Sequence, residues 1–197
     1  IHVFLDGDQV IGVTASHVDD FLISGCPKSA KWKSIFEQIT GAYRWGELQS
    51  GTFRFSGIDV TQHADFSFTL SQQFYVETIP DMPFTAQQLQ NSSMPLTPSQ
   101  ITSCKEALGA LAWLATQTSP LASARVGLYL SECKEGCMMK TPQKIQQLIA
   151  ELRREYRPLT ISTLDGQQDW TKVAVVTFSD ASLHNRDKGG STGGIIH

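Results

Sequence analysis

The stretch His17-Val18-Asp19-Asp20, preceded by the apolar run Val10 to Ala15 and followed by Phe21-Leu22-Ile23, decides how this chain is read. Each flank is short, rich in β-branched and aromatic residues, and bounded by turn formers, which is the mark of a strand. Asp6-Gly7 supplies a second turn, a favoured two-residue hairpin loop, so Ile1 to Leu5 is expected to pair with Val10 to Ser16. The product is an antiparallel meander that carries two acids at a tip. Neighbouring side chains of a strand point to opposite faces, so Asp19 and Asp20 can share an ion only if the chain turns there. Neither Gly nor Asn relieves that turn, which predicts a strained or tightly supported tip. Adjacent carboxylates repel, and a divalent cation removes the repulsion while holding substrate phosphate oxygens. The chemistry implied is phosphoryl transfer through Mg2+. The bland alternative is a solvated turn, where Asp pairs are common.

At 197 residues the chain can bury one sizeable core or two small ones, and 41% hydrophobic with 18% charged residues is an ordinary globular composition. No apolar run approaches the roughly 20 residues that span a bilayer, which excludes a transmembrane helix. The chain begins at Ile1 without a Met and without a basic region followed by an apolar stretch. It therefore reads as an excised or incomplete segment with no signal peptide, intracellular in origin, cytoplasmic or nuclear. Net charge is −3, unevenly spread: Ile1 to Asp81 holds 5 basic and 10 acidic residues, Arg125 to Arg157 holds 7 basic and 4 acidic. An acidic half that could hold cations thus precedes a basic helical half that could touch phosphates or simply be a solvated surface. Cys26, Cys104, Cys133 and Cys137 have no framework spacing and read as free thiols, although Cys133 and Cys137 could share a helix face.

After the meander, Cys26-Pro27 breaks the strand and the pattern predicts a helix over Lys28 to Ile39, stopped by Gly41. Phe53 to Thr61 and Phe66 to Leu70 read as a strand pair joined through His63-Ala64-Asp65, and Gln72 to Ile79 as a short ordered element of unassigned type. Pro80 to Pro98 turns to Pro, Gln, Ser and Asn and reads as a linker. Helices are expected over Ile101 to Ala115, Pro120 to Glu132 and Pro142 to Tyr156, with Thr118 or Ser119 and Thr141 as capping hydroxyls before a Pro. In the last of them Ile145, Leu148, Ile149, Leu152 and Tyr156 form a core stripe, leaving Lys144, Arg153 and Arg154 elsewhere on its surface. Leu159 to Leu164 and Val173 to Phe178 return to strand character, and Asp180 leaves the end of the second run, a usual place for a metal ligand but weak without partners.

Several of these segments, in this order, resemble the Pol polyprotein of copia-type (Pseudoviridae-like) retrotransposons. His17-Val18-Asp19-Asp20 with Phe21-Leu22-Ile23-Ser24-Gly25 resembles the Tyr-Val-Asp-Asp hairpin of the reverse transcriptase palm and its trailing strand. Phe55-Ser56-Gly57-Ile58-Asp59-Val60 resembles the family's Phe-Leu-Gly-Ile-Glu-Ile stretch, and Leu70-Ser71-Gln72 with Tyr75 its Leu-Ser-Gln and Tyr element. Leu108-Gly109-Ala110-Leu111-Ala112-Trp113-Leu114-Ala115 is similar to the Val-Gly-Ser-Leu-Met-Tyr-Leu-Ala helix, and Thr118-Ser119-Pro120 stands where Thr-Arg-Pro is usual. Ser179-Asp180-Ala181, with Ser191-Thr192 and Gly194, resembles the opening of the ribonuclease H domain. The chain departs from the pattern at His17 for Tyr, at Ser119 and Leu121 for Arg and Asp, and at Ser182 and Leu183 for Asp and Trp.

The resemblance implies an α+β fold: an antiparallel palm-type sheet with a helix over residues 1–80, a linker over 81–98, a helical thumb-like connection over 99–157, and the first strands of a ribonuclease H-like domain over 158–197. It assigns Asp19 as a direct ligand and Asp20 as its helper in a site where two Mg2+ ions, about 3.5 to 4 Å apart, activate a primer 3′ hydroxyl and stabilise the leaving pyrophosphate. His17 would lie near the primer end. Asp180 matches the first acid of the ribonuclease H cluster. Lys144, Arg153 and Arg154 would follow the phosphates of an RNA or DNA template-primer, with deoxynucleotides as substrates and the remainder of the Pol polyprotein as partner. The family's third palm carboxylate lies upstream of Ile1 and the further ribonuclease H acids beyond His197, so the chain alone is expected to be inactive. Two other readings stand beside this one: a degenerate or domesticated remnant that binds nucleic acid, and a metal-dependent phosphohydrolase of another family resting on the acid pair alone.

Overall fold

The computed structural model describes residues 1–163, 178–182 and 192–196. It is a mixed α+β arrangement in which every strand pair is antiparallel. The chain divides into two compact units, the first built from Ile1–Tyr75 with Pro158–Ile161, the second from Val76–Arg157 with what is described of Ser162–His197. Among the described residues no helix is long and apolar enough to cross a membrane.

The first unit opens with the expected meander, β1 (His2–Asp6), β2 (Gln9–His17) and β3 (Asp20–Gly25). Its first loop is Gly7-Asp8 rather than Asp6-Gly7, because Asp6 pairs with Gln9 and Gly7 takes the left-handed φ of 58°. Helix α1 (Ala30–Ala42) starts at Ser29, whose Oγ accepts a hydrogen bond from the Trp32 amide at 3.1 Å. Trp32 then lies flat against bare backbone: a Cβ at Gly12 or Gly25 would stand 1.9 or 2.0 Å from its ring. Only glycine permits that approach. The Phe4 and Phe36 rings flank the indole at 5.7 and 6.4 Å. Gly41 does not stop α1 as expected. A glycine stop needs a left-handed φ just past the last turn, Gly41 lacks one, and the chain leaves the helix at Tyr43 in extended conformation (φ −135°, ψ 163°).

A second sheet of the same unit has the order β4 (Thr52–Phe55), β5 (Ile58–Gln62), β6 (Phe68–Ser71), β7 (Leu159–Ile161). Phe53 to Thr61, expected as one strand, is a hairpin: Phe55 pairs with Ile58 across Ser56-Gly57, whose φ values are 49° and 77°. Two consecutive positive φ angles match the strand twist, and the apolar alternation on both sides concealed the turn. Leu159–Ile161, expected to open the C-terminal domain, pairs instead with β6 through Leu70 and Leu159 and completes this sheet. The unassigned element at Gln72 to Ile79 is helical, α2 (Gln73–Thr78).

The second unit is helical: α3 (Ala86–Gln90), α4 (Pro98–Gln117), a single 3-10 turn at Pro120–Ala122, α5 (Ser123–Glu132) and α6 (Lys140–Glu155). The stretch 81–98, read as a linker, is packed. Thr85 and Gln88 close a capping box on α3, Met82 and Leu96 are buried, the Met82 amide donates to Gln146 Oε1 at 2.7 Å, and the Met139 amide donates to the Met94 carbonyl at 2.8 Å. Met82, Phe84, Leu89, Met94 and Leu96, spaced singly among Gln, Ser and Pro, were too sparse for composition to show. A second capping box, Thr97 with Gln100 and Pro98 at the first helical position, starts α4 ahead of the expected Ile101. Leu108, Leu111 and Leu114 of α4 and Ile145, Leu148 and Ile149 of α6 form the core, so the stripe on α6 packs as its spacing predicts. Each such side chain contributes about 1.5–3 kcal/mol by leaving water. Tyr156 ends the stripe with its hydroxyl donating to Thr118 Oγ1 at 2.9 Å.

Two expected caps act otherwise: Ser119 makes no side-chain cap, and Thr141 lies inside α6, where its hydroxyl donates to Glu132 Oε2 at 2.8 Å. Cys133 ends α5 and Cys137 lies in the next loop, so they share no helix face; all four cysteines are free. Lastly, β8 (Phe178–Ser182) and β9 (Thr192–Ile196) form a two-stranded ribbon. Most of the strand expected over Val173 to Phe178 lies outside the described residues.

Candidate functional site

The site is the tip of the β2–β3 hairpin. His17 pairs with Asp20, which leaves Val18 and Asp19 as the two-residue loop. Val18 has a φ of 56°, a conformation that costs a β-branched side chain dearly, and it stands 93% exposed. The sequence therefore holds an acid pair on a backbone that its own residue type disfavours. Burial does not explain the strain, because Val18 packs on nothing.

Support comes from the turn between β4 and β5, where the Ser56 amide donates to Asp20 Oδ2 at 3.0 Å. The Ser56 hydroxyl lies 3.4 Å from His17 Nδ1, so one serine touches both residues that close the hairpin. Next to it Arg54 grips Asp59 through two hydrogen bonds of 2.7 and 3.1 Å and lies over the Phe74 ring at 5.6 Å. Sequence reading missed Ser56 as a site residue. The signal was the Ser-Gly dipeptide, a common turn pair, hidden inside what read as one strand.

The two carboxylates are placed differently. Asp20 spends one oxygen on Ser56, whereas Asp19 is exposed and has no hydrogen-bond or ion-pair partner among the described residues. Asp19 and the second oxygen of Asp20 are thus available to a hard cation, which takes oxygen ligands and retains several waters when it is Mg2+. Among the described residues no group of three His, Cys, Asp or Glu side chains gathers to hold a metal. The tip offers two acids, and any further protein ligand must come from elsewhere.

The other expected site residues fall in the second unit. Asp180 is the middle residue of β8 and pairs with Gly194 of β9. Lys144 sits 3.0 Å from Glu132 and 5.6 Å from the centre of the Tyr129 ring. Arg153 binds Asp81 at 2.7 Å and the Ile79 carbonyl, and Arg154 lies 2.8 Å from Glu155. Arg125 meets Glu151 at 2.5 Å, which raises the guanidinium pKa and lowers that of the carboxyl. Lys144, Arg153 and Arg154 therefore do not make a row of open cations. Each already has a carboxylate beside it.

No family model matches the chain, and no match is found among curated proteins or solved structures.

Proposed function

We propose that the first unit is the later part of a reverse transcriptase palm of the copia type and that the chain runs into the start of a ribonuclease H domain. The observation that carries the reading is the β2–β3 tip: two adjacent acids, one braced by a backbone amide and one free, on a turn strained at Val18. In that reading Asp19 is the direct Mg2+ ligand, Asp20 is its helper held by Ser56, and His17 flanks the primer end. Bound there, Mg2+ would supply positive charge for the primer hydroxyl and the leaving pyrophosphate. Asp20, fixed by Ser56, keeps the hairpin aimed so that the free carboxylate of Asp19 faces the incoming phosphates. In the resembling family a third carboxylate, from another part of the palm, joins the two acids of this hairpin; among the described residues no group of three metal-binding side chains gathers. RNA or DNA template-primer and deoxynucleotides are the substrates, and the rest of the Pol polyprotein is the partner.

Primer extension by this sequence joined to its upstream coding region tests the reading. Extension should require Mg2+ and fall at least about 100-fold in Asp19→Asn, since the variant would lack a carboxylate charge that holds the metal. Equal extension by the Asn variant would sink the assignment. Asp20→Ala, which removes the carboxylate that accepts from the Ser56 amide, should lower the rate with primer affinity retained.

A second reading, a remnant without catalysis, draws on the paired charges of the helical unit, which suit a folded scaffold as well as a phosphate track. The same assay separates the two.

A further inference from the structure

The segment that leaves α1 gathers two aromatic rings and a guanidinium with no assigned task. Tyr43 is 72% exposed, Arg44 is exposed, and Trp45 is 39% exposed. The Trp45 indole N–H donates to the Ile39 carbonyl at 3.0 Å, which ties the ring to the last turns of the helix. Its other neighbours are Phe21, centroid to centroid 5.2 Å at 52°, and Tyr43, 5.5 Å at 81°. The three rings form a chain from strand β3 outward to solvent. Buried apolar contact does not account for it, because residues 41–50 are exposed throughout.

Arg44 differs from most of the described arginines. Arg54, Arg125, Arg153 and Arg154 each hold a carboxylate, whereas Arg44, between the two rings, and Arg157 hold none among the described residues. Fixed aromatic faces beside an uncommitted cation are what a single polynucleotide strand needs, since each base presents a π-face and each step a phosphate. Folded duplex would offer neither ring a base to stack on.

Place supports the same occupant. Phe21 follows Asp20 directly and pairs with Ser16, while Asp20 pairs with His17, so the ring chain is rooted one residue along β3 on the face opposite to Asp20. We propose that Tyr43-Arg44-Trp45 binds single-stranded polynucleotide, stacking bases on Tyr43 and Trp45 and holding a phosphate at Arg44. Under the function proposed above, on which its biological role rests, it holds the unpaired strand beside the acid tip and takes no part in the reaction.

Fluorescence anisotropy of a labelled oligothymidylate of about 12 nucleotides, titrated with the full chain in a metal chelator, tests the site apart from the acid pair. Tyr43→Ala should weaken binding roughly 5- to 100-fold, and Tyr43→Phe should stay within about twofold of the parent. Arg44→Ala should weaken binding and reduce the slope of log affinity against log salt by about 0.7, while Lys105→Ala, an equal charge change on the exposed side of α4, should leave both unchanged. Absence of binding by the parent chain overturns the proposal. So does a Tyr43→Ala variant that binds as the parent does, a Tyr43→Phe loss equal to that of Ala, or an equal loss in Lys105→Ala. Failure here with Mg2+-dependent extension intact removes the strand site alone, and the reverse outcome removes the polymerase reading alone.

Discussion

At the tip of the first unit Asp19 has no partner among the described residues and Val18 bears a left-handed φ, whereas in the helical unit Arg125, Lys144 and Arg153 are each closed by a carboxylate from elsewhere in that unit. Backbone strain such as that at Val18 lowers stability and gathers at functional sites, whereas an exposed carboxylate costs little because water solvates it. Charge closed internally serves the fold that closes it. Apolar surface draws no such line: α4 and α6 bury Leu111 and Ile145 completely while Leu121 of the same unit is 94% exposed, and the first unit buries Trp32 while leaving Val18 in water. The division lies between the open acid at the hairpin tip and the closed ion pairs of the helical unit.

That division can be broken by mutation. The largest effect should come from Leu111→Ala, which empties a fully buried site and should cost the helical unit about 2–5 kcal/mol in urea unfolding followed by helix signal. A loss under about 1 kcal/mol would mean the core is not where α4 and α6 place it. Gly12→Ala drives a methyl into the Trp32 ring and should destabilise the first unit by about 1–3 kcal/mol, with a changed Trp fluorescence spectrum. Unaltered fluorescence would show that Trp32 does not rest on the strand.

Val18→Gly should act in the other direction, stabilising the hairpin by about 0.5–1 kcal/mol once the entropy of Gly is set against the strain released, and hydrogen exchange at β2 and β3 reads it. Destabilisation would mean that the exposed Val side chain supports the tip. The smallest effects belong to the ion pairs. Glu151 and Asp81 have lowered carboxyl pKa values, first through hydrogen bonds from Arg125 and from Gln146. Their contribution is complete above the unfolded carboxyl pKa of about 4 and is lost as pH falls through the lower folded values. Glu151→Gln should therefore flatten the acid limb of the stability profile and change neutral stability by only about 0–1 kcal/mol. An unchanged acid limb would show that the Arg125 pair contributes nothing.

Legibility in the sequence followed the range of the forces involved. The meander, its acid tip and the α6 stripe depend on spacing within a few residues, and Asp19, Ile145 and Leu148 stand where spacing put them. The hairpin at Ser56-Gly57 was hidden because apolar alternation continues on both sides of a polar dipeptide. Packing of 81–98 was hidden because it depends on Gln146 and Met139, more than 40 residues away. Pairing of β7 with β6 joins Leu159 to Leu70, a contact that no local pattern announces. In the site the acids were legible and the serine that braces one of them was not.

Trp32 resting on Gly12 and Gly25 makes three positions inheritable only as a set. An ancestor or descendant with a side chain at either glycine would need a smaller residue at 32, and α1 would then settle nearer to or farther from the strands. Because Tyr43, Arg44 and Trp45 leave from the end of that helix, such a change would also reset the reach of the aromatic segment. Sequences in which Gly12, Gly25 and Trp32 vary together, and never singly, would be the trace of that constraint.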